Sequence, residues 1–159
     1  MRGRYVEQLS VMVEAARRAG DAIVAIARRG YDVENKAGIP QAAIDSEEFD
    51  PVTTADREAD RIIREVLSAR FPTHGWLSEE SADDGSRFRC THVWVVDPID
   101  GTREFVRQRP EYTVSIGLLR ENEPVAGVIY NPSNDELYAG HIDDCRAGES
   151  SGDSSLLGL

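Results

Sequence analysis

The stretch WVVDPIDGTREF, Trp94 to Phe105, sets two carboxylates three positions apart directly after an apolar run. A hard divalent cation takes several oxygen ligands, some of them charged, in a fixed arrangement. Pro98 fixes its own φ and biases Asp97 before it toward extended backbone. Gly101 lets the chain turn where a Cβ would clash. A turn this constrained can aim Asp97, Asp100 and the Ile99 carbonyl between them at one point, and holding a metal is the chemistry such a point serves. The same residues also suit a capped turn in which Asp97 accepts backbone N–H groups. Taken alone, the turn leaves both readings open. Upstream, Glu79 and Glu80 follow the apolar step of GWLS and bring two more carboxylates near a strand end.

These acids need elements to position them. Val6, Leu9, Val13, Ala16, Ile23 and Ile26 recur at helical spacing, which predicts a helix from about Tyr5 to Arg29, with Gly30 as its stop. Residues 31–50 show no periodicity and end in DSEEFD, so an acidic loop is expected there. A second helix is expected to start near Thr53 or Thr54, where Thr53 and Asp56 have capping-box spacing, and to end before Pro72. Its apolar face is Ala59, Ile62, Ile63, Val66, Leu67 and Phe71. The period then becomes that of strands. THVWVVD reads as a buried strand, and EYTVSIGLL and PVAGVIY read as a hairpin joined at ENE. LYAG reads as a short fourth strand, and residues 141–159, rich in Gly, Ser and Asp, as a disordered tail. The expected fold class is α+β: two N-terminal helices packed on a largely antiparallel sheet, in one domain over residues 1–140.

A formal net charge of −11 on 159 residues argues against nucleic acid as the partner. It leaves room for a phosphorylated small molecule, because cations can sit between acidic side chains and an anion. Cys90 and Cys145 form no CxxC and read as free thiols of a reducing compartment. The N-terminus lacks a signal-peptide core, and no run approaches a membrane span, so a cytoplasmic protein without membrane contact is expected. His74, His92 and His141 show no ligand spacing and read as surface or strand-end residues, Trp76 and Trp94 as core. Ser78 and Ser81 flank acids but have no evident histidine partner, which disfavours a serine nucleophile.

The ordered set DPVTTAD, GWLSEES and WVVDPIDGTREF resembles the inositol monophosphatase family, magnesium-dependent and lithium-sensitive phosphatases. The resemblance implies the N-terminal half of a layered α/β sugar-phosphatase fold. It implies Mg²⁺ as cofactor, with Glu79, Asp97, the Ile99 carbonyl and Asp100 as ligands and Glu80 structural. It implies that the N–H groups of Gly101 and Thr102 hold a substrate phosphate. Thr102, hydrogen-bonded to Asp56, would position the attacking water as the catalytic pair. DGTREF and WLSEES, Glu104 above all, look more like the 3'(2'),5'-bisphosphate nucleotidase branch, acting on 3'-phosphoadenosine 5'-phosphate, than the inositol-1-phosphate branch. Family members are longer and carry a Trp-Asp pair that this sequence lacks. A C-terminal half is therefore expected to be absent, leaving a half-enzyme that needs a complementing half, a non-catalytic remnant, or a homodimer formed through an uncovered sheet face.

Overall fold

The computed structural model describes residues 4–36 and 51–142. Helix α1 spans Val6–Arg29 and α2 spans Thr54–Arg70. Both bury one stripe: Met12, Ala15, Ala16, Ala19 and Ile23 on α1, and Ala55, Ala59, Ile63 and Leu67 on α2. The small residues let the helices approach closely. Gly20 has a packing reason, since a Cβ there would lie 2.5 Å from Tyr130 Cε1.

The helices pack side by side on one face of a five-stranded sheet, α2 against β4 and α1 against the later strands. Its strands are β3 (Gly75–Ser78), β4 (His92–Asp100), β5 (Thr113–Arg120), β6 (Glu123–Asn131) and β7 (Glu136–His141), in that spatial order. β3 runs parallel to β4 and every other pairing is antiparallel. The Glu79–Thr91 connection supplies the long crossover that a parallel pair requires. Strand period sends Trp94, Val96, Val114, Ile116, Leu118, Val128 and Tyr130 into the helix-covered core. The opposite parity, Val95, Asp97, Ser115, Gly117, Ile129 and Tyr138, lines an open trough of about 610 Å³ on the other face. Ile129 and Tyr138 are 50% and 59% exposed there.

Three details differ from the sequence reading. Val33–Asn35 forms a short strand, β1, antiparallel to β2 (Pro51–Thr53), so the expected loop begins later. A one-turn helix, α3, spans Thr102–Val106. His141 is not part of a tail: it closes β7 and is buried. His74 stands at the strand end expected for it, directly before β3, half-buried with its ring stacked on His92 and Trp94. The remainder of the acidic loop, 37–50, and of the tail, 143–159, lies outside the described residues.

Candidate functional site

The site gathers where β3, β4 and the N-terminus of α2 meet. α2 begins with the capping box that its sequence announces. Thr53 Oγ accepts from the Ala55 and Asp56 amides, and Asp56 Oδ2 accepts from the Thr53 amide at 2.7 Å and from the Thr53 hydroxyl at 2.6 Å. The other oxygen, Asp56 Oδ1, accepts from the Thr102 hydroxyl at 2.9 Å. Asp56 is 1% exposed. Burial raises its pKa, while the hydrogen bonds from Thr53 and Thr102 pull against that rise. The cap therefore also ties α2 to the DPIDGT turn.

That turn is a break in the sheet. Asp97 faces Ser115 and Asp100 faces Thr113, so β4 carries one extra residue and bulges. Gly101 then takes φ +93°, and a Cβ on it would lie 2.8 Å from the Glu111 carbonyl oxygen. α3 starts at once, with Thr102 in its first turn. The bulge and the glycine bring the Ile99 carbonyl to 2.8 Å from Thr102 Oγ.

Glu79 follows β3 directly, and its amide donates to the Val96 carbonyl, next to Asp97. Asp97 is held up to about 7, first by burial, then by the charges of Glu79 and Asp100 and a hydrogen bond with Glu79. Asp97 Oδ1 is buried and receives no hydrogen bond from the described residues. An acid surrounded by acids, with a buried oxygen left over, fits a hard cation. Glu79, Asp97, Asp100 and the Ile99 carbonyl are the oxygens that could hold one. Among the described residues, however, no three His, Cys, Asp or Glu side chains close on one cation-sized point. The Lys36 ammonium lies 2.8 Å from Glu80 and 3.3 Å from Glu79. It neutralises the pair from the side of a cleft of about 360 Å³.

The sequence-derived residues thus fall into one neighbourhood, with Asp56, Thr102 and Ile99 in direct contact and Glu79 against Asp97. The Glu80 side chain is nearly buried and bound to Lys36. Two participants were missed. Lys36 gave no signal, lying in an aperiodic stretch. Asp60 did give one, its i,i+4 spacing from Asp56 on the same face of α2. No described helix is long and apolar enough to cross a membrane.

Two helices on one face of a mixed sheet, with acids gathered at the ends of β3 and β4, make up a half-layer of the sugar-phosphatase type of α/β fold. The chain belongs to the inositol monophosphatase family, whose model matches residues 5–144. It is 40% identical over 135 residues to an inositol-1-monophosphatase of Rhizobium meliloti (strain 1021), covering 82% of this chain and 46% of that protein. The structure of the extragenic suppressor protein suhB from Bartonella henselae superposes with a TM-score of 0.72 at 37% identity, covering 86% of this chain and 49% of that one. CysQ from Bacteroides thetaiotaomicron, a bacterial member of the family, superposes with a TM-score of 0.65 at 32% identity, over 87% and 47% of the two chains. The chain spans about half the length of the relatives it matches.

Proposed function

We propose that this site belongs to a Mg²⁺-dependent phosphomonoesterase in which water attacks the phosphorus of a small phosphate ester directly. The observation that carries the reading is the buried, unbonded Asp97 oxygen between Glu79 and Asp100, one turn from a Thr102 hydroxyl held by Asp56. Glu79, Asp97, Asp100 and the Ile99 carbonyl would hold the metal. When bound, Mg²⁺ neutralises the phosphate and acidifies water. The protein's own share is placement. The Gly101 and Thr102 amides, at the turn into α3, would hold a phosphate oxygen. The Thr102 hydroxyl gives its proton to Asp56, so its lone pairs are left to accept from the attacking water and orient it. Phosphoryl transfer depends mainly on such positioning and on charge stabilisation.

For the substrate we favour an inositol phosphate. That is the activity named for the Rhizobium meliloti relative. The feature that pointed to 3'-phosphoadenosine 5'-phosphate was Glu104, and its carboxylate is engaged at 3.5 Å by Arg107, the residue that ends α3. The nucleotide reading keeps the support of the CysQ likeness. Phosphate release from inositol 1-phosphate and from 3'-phosphoadenosine 5'-phosphate, with Mg²⁺ and with added Li⁺, separates the two. Faster, lithium-inhibited release from the inositol ester supports the first choice, and the reverse order selects the nucleotidase.

A second reading, in which the chain holds a cation but turns over only beside a complementing half or a second copy, draws on the open trough. Asp97 sits at its wall, so whatever covers Ile129 and Tyr138 would also close the site.

A further inference from the structure

We propose that Asp60 is a positioning residue that fixes the Glu79–Glu80 turn for cation binding. The inference rests on the metal-site reading above. Asp60 lies one helical turn after Asp56, on the same face of α2. Its Oδ1 accepts from the Ser78 hydroxyl, and its Oδ2 accepts from the Ser81 hydroxyl at 3.1 Å. These serines bracket Glu79 and Glu80. Ser78 Oγ also accepts the Glu80 amide at 3.3 Å, and Ser81 Oγ accepts from Trp76 Nε1 at 3.1 Å. Both Asp60 oxygens are therefore spent on one turn, and Asp60 is only 9% exposed.

Burying a carboxylate is costly unless hydrogen bonds compensate for the lost water, and an apolar side chain would join α2 to β3 more cheaply. What the carboxylate adds is a fixed backbone for Glu79. Lys36 binds the carboxylates of these two glutamates, whereas Asp60 binds the serine hydroxyls on either side of them. One helix face thus sets both halves of the site: Asp56 holds Thr102, and Asp60 holds the turn that carries Glu79. This also gives Ser78 and Ser81 a role that needs no histidine partner.

The test uses Mn²⁺ as probe, by calorimetry, on the wild-type chain, Asp60→Asn, Ser81→Ala, Asp97→Ala and the exposed control Arg61→Ala. Amide hydrogen exchange at Glu79 and Glu80 is measured in the metal-free chains. Asn cannot accept both hydroxyl protons, so Asp60→Asn should weaken Mn²⁺ binding by roughly 10- to 100-fold, the range typical of groups that orient metal ligands. Ser81→Ala, which removes one of the two bonds and is the milder change for folding, should weaken it less. In both variants the Glu80 amide should exchange faster, a change that does not depend on metal, while Arg61→Ala matches wild type. Binding that is lost in Asp97→Ala but unchanged in Asp60→Asn and Ser81→Ala, with Glu79 and Glu80 protection intact, overturns the Asp60 assignment alone. Binding that is undetectable in wild type, or unchanged in Asp97→Ala, overturns the metal-site reading and this inference with it.

Discussion

The Thr102 hydroxyl lies 2.9 Å from Asp56 Oδ1 and 2.8 Å from the Ile99 carbonyl oxygen. It has one proton for two acceptors. Given to Asp56, that proton leaves the Ile99 carbonyl free for a cation and the threonine lone pairs free for water. Thr102→Val keeps the shape and removes the hydroxyl. It should lower kcat by about 10²- to 10⁴-fold, the usual worth of a placed proton acceptor, with KM little changed. Thr102→Ser should keep most of the rate. Initial rates of phosphate release measure both, and a Thr102→Val rate equal to wild type would remove the hydroxyl from the chemistry.

Gly101→Ala meets two penalties at one position. The backbone sits at φ +93°, and the added Cβ would press on the Glu111 carbonyl from 2.8 Å. Conformations of this kind cost non-glycine residues about 1–3 kcal/mol each, and the contact adds to that. Urea unfolding should show a loss of at least that size, with the DPIDGT turn displaced. A midpoint unchanged from wild type would mean that the turn relaxes freely.

His74 predicts a slope of stability with pH. Its ring stacks on His92 and Trp94, Nε2 is buried without a partner among the described residues, and burial with the His92 charge lowers its pKa to about 4. A histidine depressed in the fold stabilises it above the unfolded value, near 6.5, and loses that contribution as pH falls toward 4. The ring is only partly shielded from water, so the effect should be on the order of 1 kcal/mol. Asp97, held up to about 7, has the opposite slope: its contribution is full at low pH and is lost as pH rises through 7. Comparing wild type with His74→Phe, which keeps the stacking, isolates the histidine. Denaturation curves from pH 4 to 7 should show the variant losing less stability at the acid end, and parallel curves would contradict this.

The open trough predicts self-association of the isolated chain. Ile129 and Tyr138 stand exposed beside Gly117, Gly127 and Gly140, a flat surface with little to keep a second copy away. Ile129→Lys should shift sedimentation toward monomer without altering the circular dichroism. Wild-type protein that stays monomeric at high concentration would refute it.

Much of this was legible in the sequence, for identifiable reasons. The stripe of α2 was read from its spacing, and Thr53 with Asp56 marked the start of that helix to within a residue; on α1 the expected stripe is buried at Ala16, Ile23 and Ile26, whereas Val6 is exposed because the small residues Ala15 and Ala19 form the packed face. β5 could be read because Val114, Ile116 and Leu118 alternate with small polar residues. β1 could not, because three residues carry no period and their pairing with β2 is set by a partner far along the chain. α3 was hidden behind Gly101, where a turn and the start of a one-turn helix look alike. In the site, the acids of the DPIDGT turn were visible because proline and glycine constrain it. Lys36 and Asp60 act through contacts distant in sequence, with Glu79 and Glu80 and with Ser78 and Ser81, and local spacing does not encode those.

Asp97, Glu79 and the Ile99 carbonyl are proposed to hold one cation between them. Crystals of the chain soaked in millimolar Mn²⁺ and measured at the manganese absorption edge test it most directly. An anomalous peak is expected within coordination distance of Asp97, Glu79 and the Ile99 carbonyl, with the Lys36 ammonium drawn away from Glu79. Manganese bound only at other surface acids, with Lys36 still on Glu79, would contradict it.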